Sequence, residues 1–301
     1  MQVILIVRGT AYELASEDGQ KMKRQEVLEL RTNHEESDTK IILCALFAFH
    51  KGYDFIKIRS PDSDVFFVLL HHAHKIKANI LFDTGNGNKR RLLNIKTLAD
   101  NFGPNKCEAL LALHSLTGCD STSSFKGIAK IKPLKVFLKD KKYEKTFASI
   151  GVQWKTEEST LREIEDFTCS MYGNSKVKSV NSLQYSILKK KCDERDQLDI
   201  HKHVDLNTLP PCWDSLYQHI KRTVYQTGIW KRANENFMEL PPAEENGWTS
   251  ENASEYLEPL WCEEPVLPDD LFDLLENDSD SDEETLPDKA HSSESSDDDD
   301  F

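Results

Sequence analysis

The sequence predicts an α/β fold, and two observations carry that expectation. Short β-branched or aromatic runs alternate with stretches whose apolar residues recur at helical spacing through the first 120 residues. Such alternation marks a sheet covered by helices. The chain has 301 residues, enough to bury a core in one large domain or two ordinary ones.

The elements follow in order. Gln2 to Arg8 is apolar, too short for a helix and stopped by Gly9, so it reads as a buried strand. A chain opening directly inside a strand is expected to have lost elements upstream. Between Glu36 and Lys51, Ile41, Ile42, Ala45, Leu46 and Phe49 fall on one helical face, and Gly52 supplies the stop. Phe55 to Arg59 is a short strand that ends in the polar loop Ser60 to Asp64, followed by the apolar run Val65 to Leu70. Asn79 to Phe82 and Arg91 to Ile95 flank the turn-rich stretch Asp83 to Asn88, which predicts a hairpin. Helices are expected at Asn94 to Asn101 and Pro104 to Thr117, the second with proline at its start. From residue 134 to 262 the pattern is mainly helical with polar linkers. The expected divisions are a core over 1–140, a helical region over 141–262 and a tail over 263–301.

The tail dominates the charge. It holds 17 Asp and Glu against one Lys, whereas residues 1–262 carry 37 basic and 35 acidic side chains. The net charge of −14 and the pI of about 5.2 therefore describe the tail and say little about what the rest binds. Ser, Asp and Glu almost alone cannot bury enough apolar surface to offset ordering entropy, so the tail reads as disordered. Its Leu271, Phe272, Leu274 and Leu275 would suit a helix that folds on a protein partner, and Ser279 and Ser281 lie among acids that suit phosphorylation. The seven cysteines form no CxxC pair and read as reduced thiols. No apolar run is long enough to span a bilayer and no signal peptide is visible, so the expectation is an intracellular protein of nucleus or cytoplasm with no membrane partner. Lys189-Lys190-Lys191 is too short to decide between those compartments.

Three acidic motifs stand at element boundaries: Glu36 and Asp38 at a helix start, Asp62 and Asp64 after a strand, and Asp120 after a helix. Clustered carboxylates are what two-metal phosphodiester chemistry needs, and hard cations such as Mg²⁺ and Mn²⁺ take oxygen ligands. Loops after strands deliver such ligands to one edge of a sheet.

The order and spacing of these motifs resemble the PIN-like, flap endonuclease-related nucleases over residues 30–140. That family carries Glu-x-Glu, then Asp-x-Asp, then Gly-x-Asp with a glycine-bearing helical hairpin. The resemblance implies a partial three-layer PIN-like sheet core over 1–140 and a helical hairpin at 118–140. It also implies metal-dependent cleavage of DNA or RNA, with Glu36, Asp38, Asp62, Asp64 and Asp120 holding Mg²⁺ or Mn²⁺ as catalytic ligands. Lys126, Gly127, Ile128, Lys130 and Lys132 match the hairpin that grips a phosphate backbone, and Lys89, Arg90 and Arg91 add a basic hairpin exit. The strings HEESDT, SPDSDVFFVLL, LHSLTGCDSTSSFKG and LPPCWDSLYQHIKRTVYQTGIWKRA are also similar to a group of uncharacterised animal proteins of mobile-element origin. That group commonly has a cysteine-rich end, where this chain is acidic.

Two positions depart from the nuclease pattern. The family has acids on its first strand, whereas Glu13, Glu17 and Asp18 here read as a hairpin and its turn. Ala129 stands where the helical hairpin expects a second glycine, which crowds a close backbone approach. A nuclease-derived module that binds nucleic acid or protein without cleaving is the alternative.

Each motif also has a plain structural reading. Glu35, Glu36 and Asp38 would stabilise a helix N-terminus, Asp62 and Asp64 would form a turn beside Pro61, and Asp120 would cap the next helix. His71, His72 and His74 read as solvated residues at a helix end, since no second ligand pair supports zinc. Tyr217, Ile220, Val224 and Trp230 read as the core face of a helix whose Lys221, Arg222, Lys231 and Arg232 face water.

Overall fold

The computed structural model describes residues 2–7, 9–16, 22–193, 205–250 and 256–263. Residues 2–261 of this description belong to one compact unit, and the packing has no boundary at residue 140. One continuous core joins residues from Ile42 to Ala233. The expected tail, with Leu271 to Leu275 and its serines, lies outside the described residues, as do Glu17 and Asp18.

The protein is a mixed α/β structure with small sheets. Strands β1 (Gln2–Val7), β2 (Thr10–Ser16) and β3 (Met22–Glu26) make an antiparallel meander. Here β1 departs from the buried strand expected. Val3, Leu5, Ile6 and Val7 are exposed, because the meander contributes only Ala11 and partly buried Ile4 to a small core with Val27, Leu30 and Leu43. Helix α1 (Ser37–His50) supplies Leu43 to that core and Ile42 and Ala45 to the main one.

The second sheet has the order β4 (Phe55–Arg59), β5 (Asn79–Thr84), β6 (Arg91–Asn94). Strands β4 and β5 run parallel, with Arg59 opposite Asp83 at their C-terminal edge. The crossover between them is α2 (Ser63–His72), so Val65 to Leu70 is helical and buries Val65, Val68, Leu69 and Leu70. Strands β5 and β6 form the predicted hairpin. Helices α3 (Ile95–Phe102) and α4 (Pro104–Leu116) follow within about a residue of expectation, with Pro104 in the first turn of α4.

The chain then differs from a helical hairpin over 118–140. Residues 118–130 form a loop, and a single helix α5 (Ile131–Lys139) follows. Gly127 takes φ +78° in a turn closed by the Ile128 N–H on Phe125 O, so this stretch is a glycine turn and not a helix. Helices α6 (Lys142–Ser149), α7 (Glu158–Met171), α8 (Val180–Asp193) and α9 (Trp213–Lys231) complete the unit.

Helix α9 is central, which corrects the wet face expected for Arg222 and Lys231, while Lys221 and Arg232 are half-exposed. Arg222 is 1% exposed, its guanidinium donating to Gly247 O and Leu260 O. Buried Lys231 donates to Ala148 O at 2.6 Å, and burial pulls its ammonium pKa down to about 8. The histidines at the end of α2 are likewise not solvated as a group. His72 is fully buried against Trp230 O at 2.8 Å, and burial lowers its pKa to about 4. Burial lowers that of His71 to about 2, and only His74 of the three is exposed. No helix among the described residues is long and apolar enough to cross a membrane.

Candidate metal centre

The N-termini of α1 and α2 meet, and each brings an acidic pair. Carboxylate oxygens of Asp38, Asp62 and Asp64 lie within 4.8 Å of one another. Asp38 and Asp64 sit in the first turns of their helices, where free backbone N–H groups and the macrodipole favour negative charge. That field only partly offsets the crowding. Burial first, and then repulsion from Asp62, Asp64 and Asp120, pushes the Asp38 carboxyl up to about 6. Exposed Asp120, on the loop after α4, is near enough to add to that repulsion.

Glu36 is the N-cap of α1 but makes no side-chain cap bond. Its carboxylate instead accepts from Gln226 Nε2 at 3.0 and 3.1 Å and from Trp230 Nε1 at 3.2 Å. Burial raises its pKa, with Asp38 and Asp64 adding to the effect. The capping explanation thus fails for Glu36. It holds for one oxygen of Asp62, which caps α2 by accepting the Asp64 N–H at 2.8 Å.

Asp64 is buried and meets His114 Nε2 at 2.7 Å. His114 is stacked on Phe67 at 4.1 Å between ring centroids, with Trp230 6.1 Å away on a near-parallel plane. Lys130 Nζ reaches His114 Nδ1 at 3.0 Å and Gly118 O at 2.6 Å. An ammonium has only donors, so Nδ1 accepts and the Nε2–H donates to Asp64. Burial, which lowers the His114 pKa, agrees with a neutral ring. A second brace comes from Ser121 Oγ, which donates to Gln226 Oε1 at 2.7 Å and ties the Asp120 loop to the residue holding Glu36.

All five acids named from the sequence therefore belong to one neighbourhood, with Asp38, Asp62 and Asp64 as its tightest part. The basic residues fare differently. Lys130 turns inward to His114 instead of outward to a backbone. Lys126 pairs with Asp205 at 2.9 Å, and Arg90 grips Asp83 with Nε and one terminal nitrogen at 2.7 and 2.6 Å. Lys89, Arg91, Lys132 and Gly127 are exposed, and Ile128 is half-buried. Glu13 lies on β2 of the separate meander, opposite Ile4 and Gln25.

Sequence reading missed His114, Gln226 and Trp230. His114 lies six residues before Asp120, and the other two lie within one of the strings singled out by resemblance, but no local pattern ties them to the acids. The chain matches no protein-family profile, no curated protein and no solved structure.

The donor set is all oxygen and anionic, which fits a hard divalent cation and not a soft one. Carboxylates this close repel unless a proton or cation lies among them, and that repulsion adds to burial in raising the Asp38 pKa.

Proposed function

We propose that the protein is a metal-dependent phosphodiesterase acting on DNA or RNA, built on a PIN-like core. The observation that carries this reading is the convergence of Asp38, Asp62 and Asp64 from two helix N-termini, with ligand oxygens within 4.8 Å. Those three residues would hold Mg²⁺ or Mn²⁺, with Glu36 and Asp120 completing the set. The cation would supply Lewis acidity, polarising the phosphoryl group and activating water for in-line attack.

The chain's own groups prepare that site. His114, held by Lys130, fixes the direction of Asp64. Gln226 and Trp230 fix Glu36, so its carboxylate is aimed before any ligand arrives. The balanced reaction adds water to phosphorus and breaks one ester P–O bond. One product keeps the phosphate and the other leaves with a hydroxyl that carries the water's proton.

A nuclease assay on flap, nicked and single-stranded substrates with Mn²⁺ tests the reading. Wild type is expected to cleave, and Asp62→Asn to lose at least about 100-fold, as expected when a transition-state charge stabiliser is removed. Undiminished cleavage by Asp62→Asn would remove the site assignment. The position of Glu13 on the outlying meander favours a second reading, a nuclease-derived module that binds without cleaving. Metal binding without cleavage by the wild type would select that reading.

A further inference from the structure

Three cations converge on one buried carboxylate at the sheet edge that also carries the 60–64 loop. The Asp83 side chain, at the end of β5, has no exposed surface, and its Oδ2 lies 3.2 Å from Lys57 Nζ, 3.3 Å from Arg59 and 2.6 Å from Arg90. One carboxylate balances one of those charges, so a double positive excess is held in place. The three basic side chains are 48, 53 and 47% exposed, so the buried anion organises a layer of cations whose outer side faces solvent. Arg59 also donates to Asn86 Oδ1 at 3.0 Å, which fixes its guanidinium across the hairpin.

Its place relative to the acid cluster gives it a use. Arg59 and Asp62 are three residues apart, so their Cα atoms are at most about 11 Å from each other. Pre-ordered guanidinium and ammonium groups bind phosphate with little further loss of side-chain freedom. We infer that Lys57, Arg59 and Arg90, organised by Asp83, form the seat for a backbone phosphate of the nucleic-acid strand that enters the acid cluster. This rests on the phosphodiesterase reading for the identity of the ligand, and it adds Lys57 and Arg59 as the residues that hold the strand.

The test is fluorescence anisotropy with labelled DNA and RNA oligomers of about 20 nucleotides, in EDTA, between about 50 and 200 mM salt. Relative to wild type, Lys57→Gln/Arg59→Gln is expected to bind about tenfold or more weakly, with the slope of log K against log salt reduced by about one to two. Lys77→Gln/Lys155→Gln, an equal charge change at exposed lysines elsewhere, is expected to change both less. Arg90 keeps Asp83 paired in the variant, and the single Arg59→Gln serves the same comparison if the double variant melts early. Binding of either polymer in this pattern supports the seat and identifies the source of the phosphate. Wild-type protein that binds neither, a variant with unchanged affinity and slope, or a control with an equal loss overturns it. The assay contains no divalent ion, so its failure leaves the metal centre standing, and a failure of metal binding leaves the seat standing.

Discussion

At the level of single residues, the acid cluster is held by groups that carry no charge or share one. His114 spends both ring nitrogens, one on the Asp64 carboxylate and one on the Lys130 ammonium. Replacing it by phenylalanine keeps the stacking against Phe67 but leaves a buried carboxylate without its donor. Such orphaning costs about 2–4 kcal/mol, which chemical denaturation of His114→Phe is expected to register; a change below about 0.5 kcal/mol would mean that Asp64 finds another partner. The acids themselves were legible in the sequence because pairs at i, i+2 beside a helix start or strand end are local patterns. Gln226 and Trp230 were not, because their partner Glu36 lies about 190 positions away in the chain and no local rule links them. Lys130 shows the opposite error, a basic residue near a glycine that reads as a backbone grip and serves as an internal brace.

The elements were largely legible because hydrophobic periodicity reflects burial on one face. That logic located α1, β4, the β5–β6 hairpin, α3 and α4. It failed for β1, whose apolar run lies in a thin meander with little to pack against; the helical hairpin over 118–140 was expected from the resemblance alone, and the chain has a loop over 118–130 in its place. That loop is set by Gly118, at φ +110°, where a Cβ would fall 2.9 Å from Ser124 Cβ and 3.0 Å from its Cα. Gly118→Ala is therefore expected to cost about 1–3 kcal/mol through strain and clash. Because the loop carries Asp120 and Ser121, the same variant should bind divalent cation more weakly, by isothermal titration calorimetry, than Gly127→Ala, whose added Cβ meets nothing within 4 Å. Equal affinities in the two variants would separate the loop's conformation from the site.

For the whole molecule, the helical region is part of the site's architecture and not an appendage. Helix α9 runs through the common core and brings Gln226 and Trp230 to Glu36, so residues beyond 200 complete a centre whose acids all come before residue 121. The clustered carboxylates trade some stability of the ion-free fold for a cation. Thermal unfolding with increasing Mn²⁺ measures this directly, because a ligand that binds only the folded state adds about 2.7 kcal/mol at a hundredfold excess over Kd. The wild-type Tm is expected to rise by several degrees. Asp38→Asn, which removes a carboxyl whose pKa burial and then its acidic neighbours raise to about 6, should start with a Tm no lower than wild type and stay flat across the titration. A wild-type Tm that does not respond to Mn²⁺ or Mg²⁺, or an Asp38→Asn protein that responds as fully as wild type, would contradict the account.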